Sequence, residues 1–284
     1  MTVPPVSAGP LWHTTDRDEV QLACAEFGGD GTPVVFLHGL AGCGEEWVEA
    51  ASALTPGYRV LAPDQRGHGR SERRPSDVSR GAYVADVAMW LEQLAAVPAV
   101  LVGQSLGGHT AFLVAARHPD LVRALVVVEA TPEADPRGGD DVRRWLESWP
   151  RPFVSAMHAI QFFGGDSAWS RAWLRGLDAR DDGLWPRFDI DVMMASLSET
   201  SADSYWDEWC SVSCPTLIVT GESGLAHDEV SRMRDLVPTA QVAEIPGAGH
   251  DAHLDNPATF QTYLGDFIDH LGLVDVHKSG QRYA

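Results

Sequence analysis

Pro98-Ala99-Val100-Leu101-Val102-Gly103-Gln104-Ser105-Leu106-Gly107-Gly108-His109-Thr110-Ala111 reads as a strand that turns directly into a helix. Ala99 to Val102 is a short apolar, β-rich run. From Leu106 a helical pattern follows, with Leu106, Thr110, Leu113 and Val114 on one face and Arg117-His118-Pro119 at its end. Between them lies G-x-S-x-G. In a chain with 27 glycines the bare pattern is a weak signal; the strand before it and the helix after it give it meaning. So tight a turn needs small neighbours, hence glycine two before and two after the serine. Ser105 is then held in a strained backbone with its hydroxyl exposed. The new helix aims its N-terminal N–H groups and dipole at that oxygen, where negative charge would develop. The bland alternative is an idle serine in a glycine-rich turn.

Outward from this stretch, further buried strands appear. Val20 to Phe27 reads as an early strand. Pro33 to Leu37, Tyr58 to Ala62, Ala124 to Val128, Pro215 to Thr220 and Gln241 to Ile245 are short and mostly apolar. Helical patterns fall between them: Glu45 to Leu54, Ser79 (as cap) to Leu94, and Asn256 to about Leu271. Alternating strands and helices predict an α/β fold, a mostly parallel sheet with helices on both faces and the site at the carboxyl ends of the strands. From Thr131 to Cys210 the alternation stops for about eighty residues, too long for a structureless loop. Seven of the ten tryptophans lie there, which predicts an inserted helical cap. The expected division is a core of residues 1–132 and 211–284 with a cap of residues 133–210. Residues 1–10 are expected to be loose and Asp275 to Ala284 a polar tail.

The net charge of −19 argues against nucleic acid and anionic membrane surfaces as partners. Cys24, Cys43, Cys210 and Cys214 form no C-x-x-C pair and read as reduced thiols. There is no signal-peptide pattern at Met1 to Pro10 and no apolar run of spanning length. The expectation is a cytoplasmic protein, monomer or homodimer, acting on a small apolar molecule.

Four pieces occur in a set order: His38-Gly39 after a buried strand, Asp64-Gln65-Arg66-Gly67-His68-Gly69-Arg70-Ser71, Gly103-Gln104-Ser105-Leu106-Gly107-Gly108, and Gly247-Ala248-Gly249-His250. With these the chain resembles the α/β-hydrolase superfamily over nearly all of residues 20–272. The resemblance implies a serine nucleophile, a late histidine and an acid between them. Ser105 is the nucleophile on both grounds, and His250 is its base. His253 reads as a surface or helix-cap residue. A metal site from His250, Asp251, His253 and Asp255 lacks ligand spacing, and no cofactor is called for. The resemblance suggests the backbone N–H groups of Leu40 and Leu106 as the oxyanion hole, with His38 and Asp64 holding loops.

The acid departs from the usual pattern. Most members carry an aspartate shortly after the strand that follows the cap, in a G-x-x-D setting. Here the segment is Gly221-Glu222-Ser223-Gly224. Glu129, Asp228 and Glu222 are the candidates, or there is no acid at all. Glu129 leads, because it ends an apolar buried strand where a charge needs a partner. Certain lactonases and dehalogenases of the superfamily place a glutamate at that strand end. Glu222 and Asp228 read otherwise as loop charges, Asp228 as a helix N-cap. The expected reaction is cofactor-free hydrolysis of an ester, thioester or lactone of an apolar or aromatic molecule through an acyl-enzyme. Cleavage of a C–C bond is an alternative. So is a non-hydrolytic cyclising or ligand-binding role that reuses the pocket. A serine at position 105 excludes haloalkane dehalogenase and epoxide hydrolase chemistry of this fold, which need an aspartate there.

Overall fold

The computed structural model describes residues 9–134 and 139–272. The polar tail, and most of the stretch expected to be loose at the N-terminus, lie outside these residues.

Eight strands form one sheet in the order β1-β2-β4-β3-β5-β6-β9-β10. They are β1 (Leu11–Arg17), β2 (Val20–Gly28), β3 (Pro33–Leu37), β4 (Arg59–Asp64), β5 (Ala99–Gln104), β6 (Val122–Val128), β9 (Thr216–Gly221) and β10 (Ala240–Ile245). β1 and β2 are antiparallel additions at one edge, and the pairings from β4 to β10 are parallel. The predicted strands are thus present, and β1 is an addition to them. It pairs with β2 through a two-residue turn at Asp18 and Glu19, both with positive φ (51° and 64°). A turn of that kind matches strand twist but favours Asn-Gly, so Asp-Glu gave no signal in the sequence.

Period-two alternation divides the core. Val35, Leu37, Leu101, Leu125 and Ile218 face one layer, with Phe112, Leu91 and Trp209 packed on them. Val34, Phe36, Val60, Val102, Val126 and Val219 face the other, under Trp47, Phe260 and Leu264. Helices α2 (Arg80–Gln93) and α3 (Leu106–Arg117) cover the first face. Helices α1 (Val48–Leu54) and α11 (Pro257–His270) cover the second. Ser79 caps α2 by accepting from the Ala82 N–H, and Asn256 caps α11 ahead of Pro257. The helix expected from Glu45 begins instead as a 3₁₀ turn, Gly44–Trp47.

Between β6 and β9 the chain forms α4 (Gly139–Glu147), α5 (Ala156–Phe162), α6 (Ala168–Arg175), α7 (Ile190–Ser201) and α8 (Trp206–Cys210). A helical insertion was expected, and these five helices form it; β7 (Leu177–Arg180) and β8 (Gly183–Pro186) add an antiparallel hairpin among them. Its turn, Asp181-Asp182, leads into Gly183 at φ 141°. The segment has its own apolar centre of Leu146, Trp149, Phe153, Phe163, Trp173 and Met193. Trp149 alone stands edge-on to Trp145, Phe163, Trp173 and Phe188 at 4.8 to 5.3 Å.

Candidate active site

Ser105 joins β5 to α3 at φ 49°, ψ −115°, a backbone that non-glycine residues seldom adopt. Its N–H donates to Val128 O at 2.9 Å, and its carbonyl accepts from the His109 N–H at 2.9 Å. The flanking glycines are steric necessities. A Cβ on Gly107 would lie 2.1 Å from Leu37 O, and one on Gly103 would lie 2.3 Å from Gly107 O. Leu106 is the first residue of α3, so its N–H has no acceptor within the helix and faces the same end as the serine.

The loop after β3 brings Leu40 to the same place. His38 is fully buried. Its Nε2 accepts from the Gln65 N–H at 2.9 Å, so its Nδ1 carries the proton and donates to Gly39 O at 2.8 Å. Burial, and then the His68 charge, hold His38 well below its usual pKa. Asp64 accepts from the Gly44 N–H at 2.6 Å and the Arg70 N–H at 2.7 Å. Both residues fasten loops, as the sequence suggested.

His250 lies beyond β10 on the Gly247-Ala248-Gly249 turn, and its Nδ1 is 3.7 Å from Glu129 Oε2. That distance is an ion-pair contact and too long for a hydrogen bond. The Glu129 side chain is only 1% exposed, whereas the imidazole is 62% exposed, toward the cavity side. Glu129 follows β6 at φ 49°, so a second strained strand end stands beside that of Ser105. Its Oε1 accepts from the Gly221 N–H at 2.7 Å and from the Leu225 N–H at 3.4 Å. Partial desolvation by the surrounding cavity walls depresses the His250 pKa. The Glu129 contact and the charges of Asp251, Glu129 and Asp255 outweigh that desolvation and raise it above 6.5.

Gly224 explains the departure from the usual acid position. A Cβ there would lie 1.9 Å from Glu129 Oε1 and 2.3 Å from Glu129 Cδ. The glutamate carboxylate fills the volume that a side chain at 224 would need, so the two positions are mutually exclusive.

The other carboxylates are engaged elsewhere. Glu222 accepts from the Gly247 N–H at 2.8 Å. Asp228 is not an N-cap, a position held by Ala226. It is the second residue of α9 (His227–Leu236) and accepts from the Glu229 N–H. His253 is neither a surface nor a cap residue. It is buried in α10 (Ala252–Asp255), stacked on Trp47 at 4.2 Å, with Nε2 3.4 Å from Glu46 Oε1. Burial lowers the His253 pKa to about 4 and raises that of Glu46.

The sequence reading assigned no contacts at this site to three neighbours. Gln104, the x before the serine, donates Nε2–H to His250 O at 2.9 Å and to Asp251 Oδ1 at 3.4 Å. Trp169 Nε1–H donates to Asp251 Oδ2 at 2.6 Å, tying α6 to the histidine loop. Asp251 is adjacent to His250 in sequence, the one signal that could have found it.

These groups border a cavity of about 550 Å³. Ser105, Leu40, Leu106, Glu129 and His250 line its floor. Trp145, Trp169, Trp173, Leu146 and Leu197 line its roof. Among the described residues no group of three His, Cys, Asp or Glu is arranged to hold a metal ion, and no helix is long and apolar enough to cross a membrane.

A family model for the alpha/beta hydrolase fold matches residues 32–257. A non-heme chloroperoxidase of Streptomyces lividans is 42% identical, with 84% of this chain and 92% of that protein covered. The sn-1-specific diacylglycerol lipase ABHD11 of Mus musculus is 32% identical, with 84% and 82% covered. Among solved structures, E-2-(acetamidomethylene)succinate hydrolase superposes with a TM-score of 0.84 at 25% identity, with 92% and 99% covered.

Proposed function

The chain belongs to the alpha/beta hydrolase fold family, whose relatives include a lipase, a hydrolase and an esterase, and on that premise we propose that it is a cofactor-free serine esterase. Its substrate is an ester, thioester or lactone of an apolar or aromatic small molecule. Ser105 is the nucleophile, His250 the base and Glu129 the acid. The observation that supports this reading most is the meeting of His250 Nδ1 with the buried Glu129 carboxylate at 3.7 Å, in the cavity that Ser105 also lines.

In this mechanism Ser105 Oγ attacks the carbonyl carbon while His250 Nε2 takes the hydroxyl proton. Glu129 holds the ring with the proton on Nδ1 and stabilises the imidazolium. The carbonyl oxygen becomes an oxyanion on the Leu40 and Leu106 N–H groups, each contributing about 3 kcal/mol to the transition state. His250 returns its proton to the departing alcohol. It then activates water to hydrolyse the acyl-enzyme, releasing the acid and restoring Ser105. Residues 133–210 act as the cap, and their indoles present an apolar wall to the acyl or alcohol group.

The test is hydrolysis of p-nitrophenyl butanoate together with labelling by a fluorophosphonate. Wild type turns over and labels, and Ser105→Ala does neither. A Ser105→Ala variant that retains wild-type turnover, or a wild type inert to both reagents, overturns the assignment.

A further inference from the structure

The His250 ring is mostly exposed and meets Glu129 at 3.7 Å, so its place depends on the backbone that carries it. That backbone is fastened from the core. The Gly249 N–H donates to Asp255 Oδ2 at 2.8 Å, and the Ser223 hydroxyl donates to Ala248 O at 3.2 Å. Gln104 Nε2–H donates to His250 O at 2.9 Å. The same amide is seated against the loop after β3, where a Cβ on Gly39 would lie 2.1 Å from Gln104 Oε1. The backbone is also fastened from the cap. Trp169 Nε1–H donates to Asp251 Oδ2 at 2.6 Å, and Asp251 Oδ1 accepts from Gln104 at 3.4 Å. One carboxylate thus joins α6 to the residue that precedes the nucleophile. The Asp251 carbonyl accepts from the Leu254 and Asp255 N–H groups at 2.7 and 2.9 Å, so a pull on its side chain is felt along the whole loop.

Trp169 is well placed to bear on that loop. It is the second residue of α6, a helix capped by Ser167, which accepts from the Ser170 N–H. Its ring stands 5.8 Å from those of Phe163 and Trp173 and 6.5 Å from that of Trp145, so the cap's own aromatic centre sets the direction of its N–H. An indole has one donor, and here it goes to Asp251, although the ring lines the cavity. A hydrogen bond accepted by a carboxylate is among the stronger kinds. Resting on the esterase reading, we infer that Trp169 and Asp251 are positioning residues, and that through their hydrogen bond the cap holds the His250 backbone where its ring meets Glu129 and Ser105. The cap then serves proton transfer as well as walling the cavity. A catalytic group displaced by about 1 Å can cost about a hundredfold in rate, so such a hold on the loop is felt in the chemical step.

The experiment is a double-mutant cycle on p-nitrophenyl butanoate at pH 8, with kcat and KM read separately for wild type, Trp169→Phe, Asp251→Ala and the double variant. Trp169→Phe removes the N–H and keeps an aromatic wall. It lowers kcat about tenfold and leaves KM within about twofold. Asp251→Ala lowers kcat at least as far. Once Asp251 is absent, adding Trp169→Phe lowers kcat by less than about twofold, because the bond is already gone. A raised KM with unchanged kcat in Trp169→Phe makes the indole a wall alone and overturns the inference. So does a tenfold loss that persists without Asp251, or an Asp251→Ala variant with the kcat of wild type. Nitrogen-15 NMR reads the position of the ring without turnover. The His250 ring resonances, identified by their loss in His250→Ala, move in Trp169→Phe and stay in place when that substitution is added to Asp251→Ala. Resonances that do not move in Trp169→Phe overturn the inference. A wild type inert to both the ester and a fluorophosphonate defeats the esterase reading instead, and the resonances still decide whether the cap positions the histidine.

Discussion

At the scale of single residues, the site is a set of exchanges in occupied volume. Gly224 is small because Glu129 lies where its side chain would go. Glu129 tolerates φ 49° because its carboxylate is fixed by the Gly221 N–H and faces His250. The pH dependence follows from this environment. His250 has a pKa raised above 6.5, and only the neutral ring can accept the serine proton. Activity therefore rises with pH through that raised value. Removing the Glu129 charge removes a raising influence, so the limb in Glu129→Gln shifts to lower pH. A kcat/KM profile from pH 5 to 9 checks this, and an unshifted or upward-shifted limb contradicts it. The places of Ser105 and His250 were legible in sequence, the first because backbone crowding demands glycine on both sides of it and the second because Gly247 turns the chain at φ 71° just ahead of it. Glu129 was legible as a charge closing an apolar strand. Gln104 was not, because its partners His250 O and Asp251 Oδ1 come from a loop about 146 residues away that only the fold brings beside it.

At the scale of elements, the edge of the sheet is tied down by charge. Asp86 on α2 accepts from Arg17 of β1 at 2.6 Å and from Arg66 of the loop after β4 at 2.6 and 2.7 Å. Arg66 is 1% exposed and Asp86 7% exposed, so screening by water is weak. Asp86→Ala strands a buried guanidinium and costs about 3 kcal/mol or more of stability, read as a lower urea midpoint. A change below about 0.5 kcal/mol would contradict the role. The central strands were legible from their unbroken apolar runs. β1 was not, because its turn lacks the expected glycine. The β7–β8 hairpin was not, because it is four residues a side and lies among helical patterns.

At the scale of the whole molecule, parallel strands bring their carboxyl ends to one rim, so chemistry can hang from any of them. In the proposed triad the acid follows β6, the nucleophile follows β5 and the histidine lies in the loop after β10, parts separated by up to 145 residues in sequence. β6 and β9 are neighbours in the sheet, with Val128 beside Val219. This adjacency predicts that the acid can be rehung. Glu129→Ala loses activity, and Glu129→Ala with Gly224→Asp recovers at least tenfold in kcat on p-nitrophenyl butanoate. A double variant no more active than the single one would contradict the claim that positions 129 and 224 share one volume.

The central claim is that Glu129 orients His250 toward Ser105, and the most direct measurement is kcat of Glu129→Gln on p-nitrophenyl butanoate at pH 8. The variant keeps the shape and removes the charge, and it is predicted to fall by two to four orders of magnitude, with about 10⁴ known for loss of an equivalent carboxylate. A kcat within about threefold of wild type would contradict the account and leave His250 without Glu129 as its acid.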